Sequence, residues 1–294
     1  MSNFDDLLKN SPAGEQANGQ LSKEDYAAKK QAEREAVYEL SDNAALEVAG
    51  NGDMFRQYLD VQSKFDRYSA VNALLIMAQM PEATRLGDFG HWKGQGGYVK
   101  SGESGISILE PREYTKEDGS PGTGYNVKKV FDVSQVDTRK IRNTPPPSYT
   151  ERQILGALIS KYPMKITGVD ELPGDRGAMT DHDGSILVRK GMGFSDSFRA
   201  VANEMAGAEL ATDPELSTEQ EFCAYSATYL LCKKYGADTR EFSFDNVGSV
   251  FDGMDAQEIR GELSLIRDAA GDISSRMAKA LEQAKPARQQ NYER

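Results

Sequence analysis

Cysteine and histidine are scarce in this chain of 294 residues, which has two of each. Two cysteines cannot build a disulfide framework, and two histidines leave little for a histidine-rich metal site. Long hydrophobic runs are also missing. The longest nearly uncharged apolar run, Ala70 to Met80, is far shorter than the about 18–20 residues that a membrane-spanning helix needs, and no signal peptide opens the chain. These absences predict a soluble, cytoplasmic protein with no membrane partner.

The chain also lacks an overall positive charge, since its formal net charge is −11. The acidity lies at the two ends: residues 1–52 carry 5 basic and 10 acidic residues, and residues 143–294 carry 17 and 24. Residues 53–142 carry 13 basic and 12 acidic residues. Affinity for phosphate depends on where lysine and arginine lie and not on the total for the chain. The middle segment can therefore still present a basic face to a nucleic acid.

Composition divides the chain into six segments. Their predicted bounds are a disordered tail (1–22), a helical extension (23–52), a first domain (53–142), a proline-rich linker (143–149), a second domain (150–284) and a polar tail (285–294). The first tail holds few large apolar residues, so burial cannot offset the entropy cost of ordering it. Three consecutive prolines favour an extended spacer in the linker. The helical extension has little apolar content, which indicates loose packing.

The sequence pattern of the first domain changes at Pro81. Before it, apolar residues recur at helical spacing in two runs that break around Tyr68 and Ser69. After it come short strand-like runs that are separated by glycines. This order predicts an α+β module with a small antiparallel sheet, whereas the second domain is mostly helical.

Several ordered motifs in the first domain resemble the N-terminal domain of the ArdC antirestriction proteins of plasmids and other mobile elements. One helix reads Tyr68-Ser69-Ala70-Val71-Asn72-Ala73-Leu74-Leu75, a turn carries Trp92-Lys93, and a glycine-rich strand pair reads Val99-Lys100-Ser101-Gly102-Glu103-Ser104-Gly105. The resemblance covers roughly residues 53–137 and implies a module that binds single-stranded DNA.

The same segment has residue types that suit unpaired nucleic acid, because aromatic rings stack on bases and cations follow the phosphates. The candidate contact residues are Arg67, Tyr68, Asn72, Arg85, His91, Trp92, Lys93, Tyr98, Lys100, Lys128 and Lys129. Structural alternatives stay open for three of them. Trp92 can belong to the core, and Tyr68 and Asn72, four apart on a helix, can brace the sheet through buried hydrogen bonds. Lys93 and Lys100 are preferred over Trp92 as contacts.

The second domain of ArdC-like proteins resembles a zincin metallopeptidase, in which an edge strand precedes a helix with the motif H-E-x-x-H. Here the strand at Ser185 to Val188 precedes a helix that reads Asn203-Glu204-x-x-Gly207 at the place of that motif. Zinc needs imidazoles at i and i+4 on one helix face, with the glutamate acting on the bound water. The resemblance therefore implies a degenerate zincin-like domain with no metal, no cofactor and no catalytic residue.

The next helix also departs from the family pattern. The family's glutamates fall on Cys223 and Tyr225, and only Glu221 matches an acidic position. Glu204 is expected to be a buried remnant with a raised pKa, or to form a hydrogen bond with Asn203 or Tyr225. Losses on both helices are consistent with loss of the metal, because one missing ligand removes the use of the others.

Two other groups of ligand-type residues have structural interpretations. The segment Asp181-His182-Asp183-Gly184 is typical of a hairpin turn, where aspartate and glycine are favoured. Cys223 and Cys232 are nine apart on one helix, so they cannot pair with each other, and they are interpreted as small core residues.

Three functions are consistent with these features. The first is a single-stranded DNA-binding protein of a mobile element or phage, with an antirestriction, anti-defence or DNA-protection role. The second is an inhibitor that binds a host defence protein through acidic stretches of the second domain, Asp213 to Glu221 and Asp252 to Glu262. The third is a metallopeptidase with non-standard ligands.

Overall fold

The computed structural model describes residues 22–116, 118–141, 147–211 and 220–284. Apart from Ser22, the tails predicted at residues 1–22 and 285–294 lie outside these ranges, as do most of the linker and most of the first acidic stretch. The described helices are α1 (Lys23–Gly50), α2 (Gly52–Lys64), α3 (Ala70–Gln79), α4 (Phe89–Gly94), α5 (Glu151–Ile159), α6 (Phe194–Leu210), α7 (Gln220–Tyr235), α8 (Val247–Val250) and α9 (Ala256–Gln283). The described strands are β1 (Leu86–Gly87), β2 (Tyr98–Val99), β3 (Ile106–Thr115), β4 (Pro121–Asp132), β5 (Val136–Asp137), β6 (Ile166–Val169), β7 (Ala178–Thr180) and β8 (Ile186–Arg189). None of these helices is both long enough and apolar enough to cross a membrane.

Helix α1 begins where Ser22 caps it, because the Ser22 hydroxyl accepts a hydrogen bond from the backbone N–H of Asp25. The first half of the helix is exposed, but its second half is buried at Val37, Ala45 and Val48. The expectation of loose packing is therefore wrong for this half. Small side chains do not register as a strong apolar pattern, yet they let a helix pack closely against its neighbours.

The two helical runs predicted before Pro81 are confirmed as α2 and α3. Ser69 caps α3 by accepting a hydrogen bond from the backbone N–H of Asn72, at 3.2 Å. Tyr68 precedes this cap, so the expectation that Tyr68 and Asn72 lie four apart on one helix is wrong. The residue types before a helix and within its first turn do not by themselves locate the cap.

The predicted small antiparallel sheet is present. Strand β4 lies between β1 and β3 and pairs antiparallel with both. The β3–β4 pairing runs from Ile106↔Val130 to Thr115↔Pro121. The first four residues of β3 are buried and the last six are exposed, so the two strands leave the core together as a ribbon.

In the predicted second domain (150–284), the strands form a mixed sheet in the order β6-β8-β7. Strand β8 is parallel to β6 and antiparallel to β7. The strand predicted at Ser185 to Val188 is therefore the middle strand, and β7 occupies the edge beside α6. Local sequence predicts that a strand is present, but its place in the sheet depends on partners that are distant in sequence.

Helices from both sides of the predicted linker share one hydrophobic core. The ring of Phe55, on α2, lies 5.2 Å from the rings of Phe222 and Phe244. The Tyr229 hydroxyl, on α7, donates a hydrogen bond of 2.8 Å to Asp60, on α2. The linker thus marks a change in sequence type, while the described helices on its two sides pack together.

Candidate nucleic-acid interface

A cavity of about 810 Å³ opens where the β1-β4-β3 sheet meets α1, α3 and α9. We call it the central groove. It brings together five of the predicted contact residues, which are Arg67, Tyr68, Asn72, His91 and Lys128. It also contains lining residues that were not predicted, including Tyr38, Tyr125, Arg260 and Arg267. Aromatic and cationic side chains are thus concentrated in one concave surface.

Three tyrosines line the central groove, and two of them are exposed. Tyr125 is 44% exposed and Tyr38 is 37% exposed, whereas Tyr68 is half-buried. Burial raises the pKa of Tyr68, and burial followed by the nearby Tyr125 raises the pKa of Tyr38. Both phenols therefore stay neutral at physiological pH, so they do not repel phosphate and can still form hydrogen bonds.

The cations of the groove differ in their partners. The Lys128 ammonium lies 2.9 Å from the Asp88 carboxylate and 2.7 Å from the Glu110 carboxylate. The hydrogen bonds that Lys128 donates to Glu110 and Asp88 raise the pKa of Lys128 to about 12. Arg67 is exposed, and its guanidinium makes no hydrogen bond or ion pair with the described residues. Arg67 can therefore contact a phosphate without first breaking an ion pair with a carboxylate.

His91 is held at the groove by the start of α4. The Asp88 carboxylate caps this helix by accepting a hydrogen bond of 2.7 Å from the backbone N–H of His91. The imidazole lies over Gly87, where a Cβ atom would collide with it. Glycine at this position therefore gives the His91 ring its place in the groove lining.

Trp92 does not offer a face to a base. Its side chain is 0% exposed, and its indole N–H donates a hydrogen bond of 3.0 Å to the Phe131 carbonyl. The Arg85 guanidinium covers the ring, at 4.8 Å from the centroid, and the Nε and Nη2 atoms of Arg85 are buried. Trp92 is thus a core residue, as the structural alternative had it, because the small sheet needs a large side chain to cover it.

Asn72 has a bracing role. It is 8% exposed, and its amide forms two hydrogen bonds with Leu109 on β3. The Asn72 Nδ2 donates to the Leu109 carbonyl at 2.9 Å, and the Leu109 N–H donates to Oδ1 at 2.8 Å. Asn72 therefore holds the edge of the strand on which the groove is built.

The remaining predicted contacts lie outside the groove lining. Lys93, Tyr98, Lys100 and Lys129 are exposed, and Tyr98 is 59% exposed. The Lys100 ammonium donates a hydrogen bond of 2.7 Å to the Ser134 carbonyl, and the Lys129 ammonium donates one of 2.6 Å to the Ser107 hydroxyl. These four exposed residues remain predicted contacts outside the groove.

Four aromatic or cationic residues of the groove were not predicted from the sequence. Tyr38 lies in the extension that was expected to pack loosely, and Tyr125 lies in the exposed ribbon. Arg260 and Arg267 lie on α9, more than 100 residues beyond the predicted DNA-binding domain. A usable signal was present there, because Arg260, Ser264 and Arg267 are spaced i, i+4 and i+7 and so share one helix face.

The residues at the zincin-type motif do not fit a two-histidine zinc site. Gly207 has no side chain, and nothing lies within 4 Å of the place where its Cβ would be. Glu204 is bound elsewhere: one carboxylate oxygen accepts hydrogen bonds of 2.8 Å from both the backbone N–H and the hydroxyl of Thr180. The expected partners Asn203 and Tyr225 are therefore wrong, and Glu204 joins α6 to the edge strand β7.

The other ligand-type residues have structural partners or are dispersed. Burial raises the pKa of Cys232 to about 12, which keeps its thiol protonated and inert. The Cys223 thiol is buried and lies 3.5 Å from the Glu262 carboxylate, while Glu221 is exposed at the start of α7. Across the described part of the chain, no three His, Cys, Asp or Glu side chains come together as a metal site.

The hairpin turn predicted at Asp181 to Gly184 is confirmed. The Asp181 carboxylate accepts hydrogen bonds from the backbone N–H groups of Asp183, at 3.0 Å, and Ser185, at 2.8 Å. Gly184 has φ +73°, in the left-handed region that favours glycine. The turn chemistry thus accounts for Asp181 and Gly184.

Comparisons with known proteins agree with this architecture. Residues 47–143 match the family model described as the N-terminal domain of anti-restriction factor ArdC. No curated protein sequence matches the chain. The Mn(II)-bound crystal structure of the antirestriction ArdC protein from the R388 plasmid is 14% identical with a TM-score of 0.50, covering 74% of this chain and 86% of that chain. The metal-free structure of that protein is 16% identical with a TM-score of 0.43, covering 73% and 84%. The chain therefore has an α+β fold similar to that of the R388 ArdC protein, and residues 47–143 form a domain of the ArdC N-terminal type.

Proposed function

We propose that this protein binds single-stranded DNA in the central groove and acts in antirestriction, protecting the DNA of a plasmid, phage or other mobile element. The observation that carries the proposal is the convergence of tyrosine faces with Arg67 and Lys128 in one cavity. The match of residues 47–143 to the domain of an anti-restriction factor supports the biological role.

The groove favours a single strand over a duplex. Bases in a duplex are stacked on each other, so their faces are not available to tyrosine rings. An unpaired base stacked on an aromatic ring contributes about 1–3 kcal/mol, largely independent of sequence. Tyr125 and Tyr38 are exposed enough to provide such faces, and we therefore expect little sequence preference.

Electrostatics set the expected salt dependence. A protein that neutralises Z phosphates of a single strand loses affinity with a slope of about −0.7Z in log K against log salt. Few groove cations are free, since carboxylates already pair Lys128. We therefore expect roughly two to four phosphates to be neutralised, with a slope of about −1.5 to −3.

The test is titration of a labelled oligonucleotide, single-stranded or duplex, at several salt concentrations. Tyr125→Ala should weaken single-strand binding about five-fold or more, because it removes a stacking face. Tyr114→Ala is the matched control, since Tyr114 is equally exposed on the same ribbon but lies outside the groove lining. Arg67→Ala should also weaken binding.

Two results would contradict the proposal. Absent or salt-independent binding by the unmodified protein would contradict DNA binding itself. Loss of binding in a Lys93→Ala, Lys100→Ala double variant, with none in Tyr125→Ala or Arg67→Ala, would place the DNA near Lys93 and Lys100 and contradict the groove as the site.

We propose in addition that the second domain, which is the C-terminal segment of residues 150–284, does not hydrolyse peptide bonds. Asn203 and Gly207 stand where two zinc ligands would be needed, and the Glu204 carboxylate is engaged with Thr180. Elemental analysis of the purified protein is the test. Stoichiometric zinc or manganese that is lost in Glu204→Gln or Glu221→Gln would contradict this assignment and revive a metallopeptidase with other ligands.

A further inference from the structure

We infer that helix α9 of the C-terminal segment is the second wall of the DNA site, so that the degenerate metallopeptidase-like part of the chain binds the strand. The inference rests on the proposed binding of single-stranded DNA. It assigns to α9 a role that the family match does not cover, because that match ends at residue 143.

The helix presents a polar stripe to the central groove. Arg260, Ser264 and Arg267 all line the cavity, and their i, i+4, i+7 spacing places them along about two turns of one helix face. The core face of the same helix is formed by neighbouring positions such as Leu263 and Ile266, which are fully buried. Burial of that face fixes the direction in which the arginine stripe points.

Arg260 is held in place by α1. Its Nη1 atom contacts the Asp42 carboxylate and lies 3.3 Å from the Ser41 hydroxyl. A guanidinium has five N–H donors in a fixed plane, so these contacts leave donors available. Arg260 is thus a positioned cation whose side chain needs little reordering when a phosphate arrives.

Tyr38 connects this wall to the ribbon. It lines the groove together with Arg260 and Tyr125, and both residues are close enough to influence its pKa. Tyr38, Arg260 and Arg267 all lie outside residues 47–143. Three of the eight aromatic or cationic residues that line the groove are therefore provided by parts of the chain outside the ArdC-type domain.

Arg267 pairs with its neighbour Asp268 at the surface. The Arg267 side chain is 32% exposed and that of Asp268 is 56% exposed. Exposed ion pairs of this kind contribute little to the free energy of folding. Exchange of the Asp268 carboxylate for a DNA phosphate therefore requires little free energy, and Arg267 can serve as the outer contact of the wall.

The experiment compares charge changes along one helix in the full-length chain. Arg260→Ala and Arg267→Ala should each lower affinity for a labelled single-stranded oligonucleotide about three- to ten-fold, in proportion to the loss of a charged hydrogen bond. Lys279→Ala is the matched control, because Lys279 is exposed on the same helix, outside the groove lining. It removes the same charge and should change affinity less than two-fold.

A second pair of variants avoids loss of the Arg260–Asp42 contact. Ser264→Glu adds a negative charge inside the groove and keeps both arginines, so it should weaken binding about ten-fold at low salt. Ser275→Glu adds the same charge three turns further along α9, at an exposed position, and should have little effect. Thermal denaturation of each variant confirms that the fold is kept.

The outcomes separate this inference from the proposed function. If the unmodified protein does not bind single-stranded DNA, both are wrong. If Tyr125→Ala weakens binding but Ser264→Glu matches Ser275→Glu, and the two arginine variants match Lys279→Ala, then only the N-terminal wall binds DNA and the inference about α9 is overturned.

Discussion

At the scale of single residues, exposure decided what each side chain can do. Trp92 and Tyr125 are both aromatic residues in the same small domain, but Trp92 is 0% exposed and Tyr125 is 44% exposed. From the sequence, Trp92 could be either a stacking platform or a core residue, and Tyr125 was not among the predicted contacts. Because Trp92 is buried beneath Arg85, the proposed site assigns base stacking to Tyr125, which belongs to no sequence motif.

Asp132 offers a prediction about pH at this scale. Burial raises its pKa, but hydrogen bonds from the backbone N–H groups of Arg85, Ser134 and Thr84 outweigh burial and hold the pKa below its usual value. A carboxyl whose folded pKa is depressed stabilises the fold above its unfolded value of about 3.9, and this stability is lost as the pH falls through the folded pKa.

We therefore expect the free energy of unfolding to fall as the pH is lowered below about 4. Asp132→Asn should reduce stability at neutral pH and flatten this acid dependence. Urea denaturation at a series of pH values measures both effects. An acid dependence equally steep in Asp132→Asn and in the unmodified protein would show that the carboxylate contributes none of it.

At the scale of secondary-structure elements, side chains of α3 cover the edge of strand β3 that no other strand pairs with. Asn72 bonds both backbone groups of Leu109, and Gln79 bonds both backbone groups of Ser107. The next residue of β3 whose backbone groups point away from β4 is Pro111, which has no N–H to donate. An open strand edge invites pairing with another chain, so these residues protect β3 along its buried half.

Asn72→Ala should destabilise the protein by about 2–3 kcal/mol, because it leaves two buried backbone groups without a partner. Asn126→Ala is the matched control, as Asn126 is exposed on β4, and it should change stability by less than about 0.5 kcal/mol. Urea denaturation measures the difference. Equal effects of the two substitutions would show that the Asn72 bonds do not support the edge.

At the scale of the whole molecule, the predicted linker does not separate two independent cores. Phe55 of α2 lies against Phe222, Phe244 and Phe251, all of which follow the linker in sequence. The groove is built in the same way, with α9 opposite the N-terminal sheet. Shared packing therefore holds the two walls of the proposed DNA site at a defined distance.

Phe55→Ala should lower the free energy of unfolding by about 3–5 kcal/mol. It should shift the unfolding of the N-terminal and C-terminal segments together. Fluorescence of the single tryptophan, Trp92, reports on the N-terminal sheet, while far-ultraviolet circular dichroism reports mainly on the helices. The two transitions should coincide before and after the substitution. Phe89→Ala, at a ring that is 61% exposed, is the control. Separate transitions, with only one shifted by Phe55→Ala, would contradict a shared core.

The sequence by itself determined features that depend on local residue types. The break between α2 and α3, the turn at Asp181 to Gly184 and the α+β class could all be predicted, because caps, turns and periodicity act over a few residues. That Asn203 and Gly207 cannot act as the two histidine ligands of a zinc site was equally visible, since the identity of a ligand is a property of one position.

Only the tertiary structure decided where the candidate site lies. Helical spacing places Arg260 and Arg267 on one face of α9 but does not say what that face meets. The groove joins Tyr38, Tyr125 and Arg260, which are far apart in sequence, through the packing of α1 and α9 against the sheet. Burial excludes Trp92 from the candidate contacts for the same reason. Whether a side chain lies in the core depends on residues that are distant in sequence, and not on the motif in which it stands.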